Sequence, residues 1–299
     1  MLGLLLAFSS CWLTKSASNE IQPIVRWVHG LNAPCFIQSI AKFFPGFDVK
    51  CIETGLGSFG SFDEQIEKGC SLLDKEADYL SQGFTLVGFS QGGLIARGIL
   101  QRCEIGKHVR RLITVGGPHM GVAIVPYTDP NNLVNKILIP ACLHFSTAQT
   151  AVTPCGYIRS LRFYEAYTKS QNTVLDLNNE RIVNPQYKER ILGLDLFMAI
   201  GFDNDQMVQP KNTAIFGFYK DEKYDSLVNL EDTYLYSLDV LGIKQFNESG
   251  RLFRCTVPGG HLQISDEDMG KLVADFANIH NSDYKKNFDY MKDKCFFKH

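Results

Sequence analysis

Apolar residues fall into short dense runs separated by longer amphipathic stretches, a rhythm that predicts strands alternating with helices. Residues 21–28 are rich in Ile and Val and end at His29-Gly30, which predicts a buried strand. A second strand is predicted over 47–52, and a third over 84–89 (FTLVGF), bounded by Gly83. Between them, residues 63–80 place Ile66, Cys70, Leu73 and Leu80 on one side of a helix. A helix over 94–100 follows Gly92-Gly93, and a strand over 111–115 is stopped by Gly116-Gly117-Pro118. This alternation implies an α/β fold with a mostly parallel central sheet and helices on both faces.

The rhythm breaks after residue 120. Residues 121 to about 190 hold several prolines, polar runs and short amphipathic stretches, which predicts a helical insertion forming a cap. The strand pattern returns at 194–200 and 251–257. Residues 266–279 predict a closing helix, with Asp266 at the end where the helix dipole favours a carboxylate. The main domain is expected to run from 19 to 280, and the polar residues 281–299 read as a frayed tail.

The first residues read differently. Residues 1–13 (MLGLLLAFSSCWL) are apolar but too few to span a bilayer, and Lys15 interrupts them. Small residues follow at Ser16, Ala17 and Ser18, so 1–18 is expected to be a signal peptide, although it lacks a charged leading segment. A buried first strand or helix is the alternative. No later run is long and apolar enough to cross a membrane.

Composition adds compartment and excludes one function class. The chain of 299 residues is 45% hydrophobic with a formal net charge of −2, so it can bury a full core and lacks the basic balance of a nucleic-acid binder. Removing Cys11 with the leader leaves eight cysteines: Cys35, Cys51, Cys70, Cys103, Cys142, Cys155, Cys255 and Cys295. That even number permits disulfides in a secretory chain, and the spacings match no zinc pattern. Asn247-Glu248-Ser249 is a glycosylation sequon, expected on a lumenal surface turn.

Gly88-Phe89-Ser90-Gln91-Gly92 matches G-x-S-x-G. In this motif the serine occupies a strained turn between strand and helix, and glycines two residues away remove side chains that would clash. The strand before it and the helix after it supply the expected context for a nucleophile elbow, the mark of an α/β-hydrolase. Glycines clustered at a tight helix–sheet contact would be the structural alternative. Such an enzyme needs an acid and then a histidine, in that chain order. His261, in VPGGHL at 257–262, is the histidine that follows a late strand. His280 and His299 lie in or beyond the final helix, and His108 and His144 fall in polar segments.

Asp203 and Asp205 both follow the strand at 194–200. Asp205 is preferred because the apolar pair Met207-Val208 follows it after one residue, and Asp203 is then a turn residue or a helper that hydrogen-bonds the loop. The two oxyanion donors are expected to be the backbone N–H groups of Gln91 and of Leu31, in the loop after the first strand. His29 is read as a buried turn residue and His119 as support for the active-site rim. The chemistry needs no metal or organic cofactor.

Several longer segments resemble one family, the lysosomal palmitoyl-protein thioesterases. They are VHGLN at 28–32, GFSQGG at 88–93, VGGPHMGV at 115–122, LNNERIVNPQYKE at 177–189 and FDNDQMVQP at 202–210, then FGFY at 216–219, LYSLDVLGIK at 235–244 and GGHLQIS at 259–265. The resemblance runs from about residue 24 to 279. It implies a triad of Ser90, Asp205 and His261 that removes long acyl chains, chiefly palmitoyl, from cysteine thioesters of proteins. It also implies a hydrophobic groove for the fatty acyl chain beside the insertion, and disulfides Cys70–Cys103 and Cys142–Cys155. A lysosomal address follows from it, with plain secretion as the second reading.

Three features depart from the family pattern, one of them a segment around 123–155 that is longer than expected. Cys35 precedes Phe36 where the family has adjacent cysteines, and Asn32-Ala33 stands where it usually has Gly-Asp. The partners of Cys35, Cys51, Cys255 and Cys295 stay open. The triad alone does not separate a protein thioesterase from an acyl-CoA thioesterase or lipid esterase. A lipid-binding protein without catalysis is a further alternative.

Overall fold

The computed structural model describes residues 23–30, 40–55 and 59–277. The leader at 1–18, Leu31, Cys35, Cys295 and the tail at 281–299 lie outside them. Six strands form one parallel sheet: β1 (Ile24–Val28), β2 (Asp48–Ile52), β3 (Phe84–Phe89), β4 (Val109–Val115), β5 (Leu196–Phe202) and β8 (Leu252–Val257). Their order is β2-β1-β3-β4-β5-β8. Two-residue strands β6 (Phe218–Tyr219) and β7 (Leu227–Val228) make a separate antiparallel pair.

The sheet is an α/β-hydrolase scaffold, and its strands are apolar throughout because both faces are covered. Leu86, Leu112, Phe197 and Ala199 face one core, shared with α1 (Phe62–Asp74) and α2 (Gln91–Arg102). Val87, Ile113, Met198 and Ile200 face the other, shared with the closing helix α5 (Asp266–Ala277). Chain order reverses at β1, which pairs β2 on one side and β3 on the other. A reversal of this kind opens a crevice at the carboxyl ends of the strands.

Element ends differ from the expected ones for local reasons. Helix α1 starts at Phe62 because Ser61 caps it, accepting from Asp63 N–H while Glu64 reaches back to Ser61 N–H. It stops at Asp74, and a separate short helix covers Ala77–Leu80. Glu76 lies between the two, its carboxylate held by Arg26 at 2.5 Å and Lys50 at 2.8 Å. Arg26 is fully buried within β1 and bonds Asp48 as well. Helix α2 begins at Gln91, so Gly92 and Gly93 lie inside its first turn.

Between β4 and β5 the chain adds no strand to the sheet. It forms α3 (Leu133–His144), short helices at Ser146–Ala151, Tyr164–Lys169 and Thr173–Leu177, and α4 (Pro185–Leu192). Disulfide Cys142–Cys155 closes this segment on itself, and Cys70–Cys103 ties α1 to the end of α2, matching the two implied pairings. Cys51 and Cys255 are also disulfide-bonded. No described helix is long and apolar enough to cross a membrane.

A buried polar clasp fastens the cap to the scaffold. Arg159 and Glu180 pair at 2.8 Å with almost no exposure, and Tyr167 Oη donates to the same carboxylate. Asn178 accepts from Arg97 of α2 and donates to Glu180. These partners explain Asn178 and Glu180 of LNNER, whose polar side chains serve the interior. Glu180→Ala would strand the Arg159 charge and is expected to lower stability by about 3–5 kcal/mol, read by urea unfolding.

Candidate active site

The elbow has no room for side chains. A Cβ on Gly88 would sit 2.3 Å from the carbonyl oxygen of Gly92, and one on Gly92 would sit 2.3 Å from that of His29. Without those atoms, β3, α2 and the end of β1 touch backbone to backbone. Ser90 between them takes φ 51 and ψ −126, a conformation that a non-glycine residue adopts only under constraint. Its N–H donates to Val115 O at 2.7 Å, which anchors the turn to β4.

His261 and Asp205 reach Ser90 from two later loops. His261 Nε2 lies 2.8 Å from Ser90 Oγ, and Nδ1 lies 2.7 Å from Asp205 Oδ2. The other carboxylate oxygen of Asp205 accepts N–H groups from Met207 and Val208, both at 2.9 Å. Both of its oxygens are therefore engaged, and the side chain is almost wholly buried. Asp203 does not reach the histidine. Its Oδ1 accepts from Gly259 N–H at 2.8 Å, and Asn204 N–H donates back to Gly259 O. The acid loop and the histidine loop are thus stitched to each other.

Gln91 opens α2, so its N–H belongs to the first turn, outside the i→i−4 ladder. Leu31, the other expected oxyanion donor, lies outside the described residues. The Gln91 side chain enters a buried relay that the motif did not foretell. Tyr157 Oη donates to Gln91 Oε1, Gln91 Nε2 donates to Gln65, and Gln65 donates to Thr153. Burial raises the Tyr157 phenol well above its ordinary range, so it stays protonated as a donor.

A cavity of about 490 Å³ opens beside Ser90 and His261. Its wall is apolar and comes mainly from the cap: Val122, Ile124, Leu138, Ile139, Cys142, Val152, Cys155 and Ile158 all face it. Met207, Val208 and Leu262, from the Asp205 and His261 loops, line it as well.

Two histidines are placed elsewhere. His29 is buried and contacts Cys51 Sγ at 2.9 Å, and desolvation lowers its pKa. His119 is fully buried and not on the rim; it bonds Thr114 and stacks on Phe216 with ring centroids 4.5 Å apart. Burial, reinforced by Arg97, holds it well below its usual pKa and therefore neutral. Asn247 lies in the last turn of the short helix Ile243–Glu248, where its amide donates to Tyr236. Among the described residues no group of three or more His, Cys, Asp or Glu could hold a metal ion.

Residues 23–261 match the palmitoyl protein thioesterase family. The chain belongs to that family. It is 32% identical to palmitoyl-protein thioesterase 1 of Caenorhabditis elegans, over 84% of this chain and 89% of that protein. It is 30% identical to lysosomal thioesterase PPT2-B of Xenopus laevis, over 86% and 91% respectively. Among solved structures it resembles a carboxyl esterase from Bacillus coagulans at 15% identity and a TM-score of 0.43, covering 92% of this chain and 90% of that one.

Family membership and the two aspartates' different partners lead to a direct test. Asp205→Asn is expected to lower kcat on an acyl thioester by about 10³–10⁴-fold, since the imidazole loses its orienting carboxylate. Asp203→Asn should change it by less than about tenfold, because an amide oxygen still accepts from Gly259. Steady-state kinetics on both variants checks this.

Proposed function

We propose that this thioesterase hydrolyses long-chain fatty acyl groups, chiefly palmitoyl, from cysteine thioesters of proteins. The observation that carries the proposal is the hydrogen-bonded chain Ser90–His261–Asp205 opening into an apolar cavity. A cavity of that character suits an alkyl chain, because each buried methylene contributes about 0.8 kcal/mol. Membership of the family and the names of its relatives support the same reading.

The proposed steps follow from the distances. Ser90 Oγ gives its proton to His261 Nε2 and attacks the acyl carbonyl carbon. Asp205 keeps the imidazole in the required tautomer and stabilises the imidazolium. The oxyanion is assigned to the N–H groups of Gln91 and Leu31, each such donor contributing about 2.7–4 kcal/mol at the transition state. His261 then protonates the departing sulfur and the C–S bond breaks, leaving an acyl-enzyme on Ser90. Water attacks with His261 as base and releases the fatty acid.

The proposed location is the lysosome, reached through the secretory pathway after removal of residues 1–18. The disulfides and the lysosomal name of the Xenopus relative support it. Asn247 is proposed as a glycan acceptor, and attachment there requires its amide to leave Tyr236.

Ser90→Ala is expected to abolish hydrolysis while leaving the thermal unfolding midpoint within a few degrees of the unmodified protein. The unmodified enzyme should act faster on an S-palmitoyl peptide than on palmitoyl-CoA or a simple lipid ester. Equal or greater kcat/KM on the ester would remove the thioesterase assignment, and a preference for palmitoyl-CoA would change the thiol carrier.

A further inference from the structure

Helix α3 is apolar on both sides, which is unusual for a helix at a surface. Its inward residues Ile139 and Leu143 pack with Ile158, Tyr167 and Leu175 in a small core of the cap's own. Its outward residues Leu133, Val134, Ile137 and Leu138 are exposed, Leu133 by 67% and Ile137 by 57%. The stripe through positions 134, 138 and 141 keeps helical spacing and continues past the helix end to Phe145, which is 61% exposed.

This face is continuous with the acyl cavity. Leu138 lines the cavity and is also 48% exposed, so it belongs to both surfaces. Val152 likewise lines the cavity and is partly exposed, with exposed Phe59 bridged to it. The charge pattern is equally one-sided. Residues 130–158 contain no carboxylate and a single lysine, Lys136.

We propose that the outward face of α3, together with Phe145, docks on a phospholipid surface. An exposed apolar patch of this kind marks an interaction site. A helix that presents aliphatic and aromatic side chains and no acids suits the boundary between headgroups and acyl chains. Lys136 can extend its ammonium to lipid phosphates while its stem stays on the apolar surface. Because the docked face runs into the cavity through Leu138, an acyl chain anchored in the bilayer can slide into the enzyme without crossing water. This function of the face rests on the acyl-thioesterase reading; the docking itself does not.

Sedimentation of the full-length protein with vesicles of mixed phosphatidylcholine and phosphatidylglycerol tests it. The unmodified protein is expected to bind, and Leu133→Glu combined with Ile137→Glu to lower binding by at least about tenfold. Phe145→Ser should lower it by a smaller factor. Neither Leu133 nor Ile137 lines the cavity, so the double variant should hydrolyse a water-soluble short-chain thioester at the unmodified rate. That activity also reports an intact fold. Hydrolysis of an S-palmitoyl peptide held in the vesicles should fall in step with binding. Absence of vesicle binding by the unmodified protein, or equal binding by the double variant, overturns the proposal. If neither sediments but the double variant loses activity on a soluble acylated protein, the face docks protein and the lipid assignment fails. Sedimentation requires no turnover, so failure of the thioesterase reading would show separately, as absence of hydrolysis.

Discussion

The left-handed backbone at Ser90 is the constraint on which the rest of the site depends. A residue with a side chain resists that conformation by about 1–3 kcal/mol, so surrounding structure has to impose it. Here β1, β3 and α2 impose it by meeting at their backbones, which requires Gly88 and Gly92 to lack a Cβ. The two cores on either face of the sheet hold those elements in place. Once Ser90 stands at the carboxyl end of β3, the loops after β5 and β8 arrive beside it, because parallel strands deliver all their following loops to one edge.

The cap is held by polar contacts and lined by apolar ones. Arg159, Glu180, Asn178 and Arg97 form its buried attachment, away from solvent competition. The relay Tyr157–Gln91–Gln65–Thr153 forms a second attachment, at the elbow itself. Between these fastenings the cavity wall has little polar surface, so water gains few hydrogen bonds there while an alkyl chain loses none.

Much of this was legible in the sequence because it depended on local or periodic signals. Six runs of apolar residues marked the sheet strands, and glycines around Ser90 marked the elbow. The order serine, acid, histidine and the apolar pair Met207-Val208 pointed to Asp205 over Asp203, and those two residues prove to donate N–H groups to the carboxylate. What stayed hidden depended on partners distant along the chain. Arg26 lies in an apolar strand because Asp48 and Glu76 meet it there. His119 looked like a rim residue because it follows a strand end, yet Thr114 and Phe216 draw it into the interior. The stretch at 177–180 carried no sign of burial in the sequence, and the packed structure shows Glu180 and Asn178 facing buried arginines.

The stitch between the Asp205 and His261 loops holds two distant parts of the chain in one register. Asp203 and Gly259 bond directly, so His261 is registered against Asp205 across a few ångströms and not through the chain between them. That intervening chain carries β6, β7 and several short helices and packs back on the sheet, where Phe216 meets Phe197 of β5. Change confined to the exposed turns of that excursion therefore leaves the spacing of the two loops to Asp203 and Gly259, while change at its buried aromatics reaches the core.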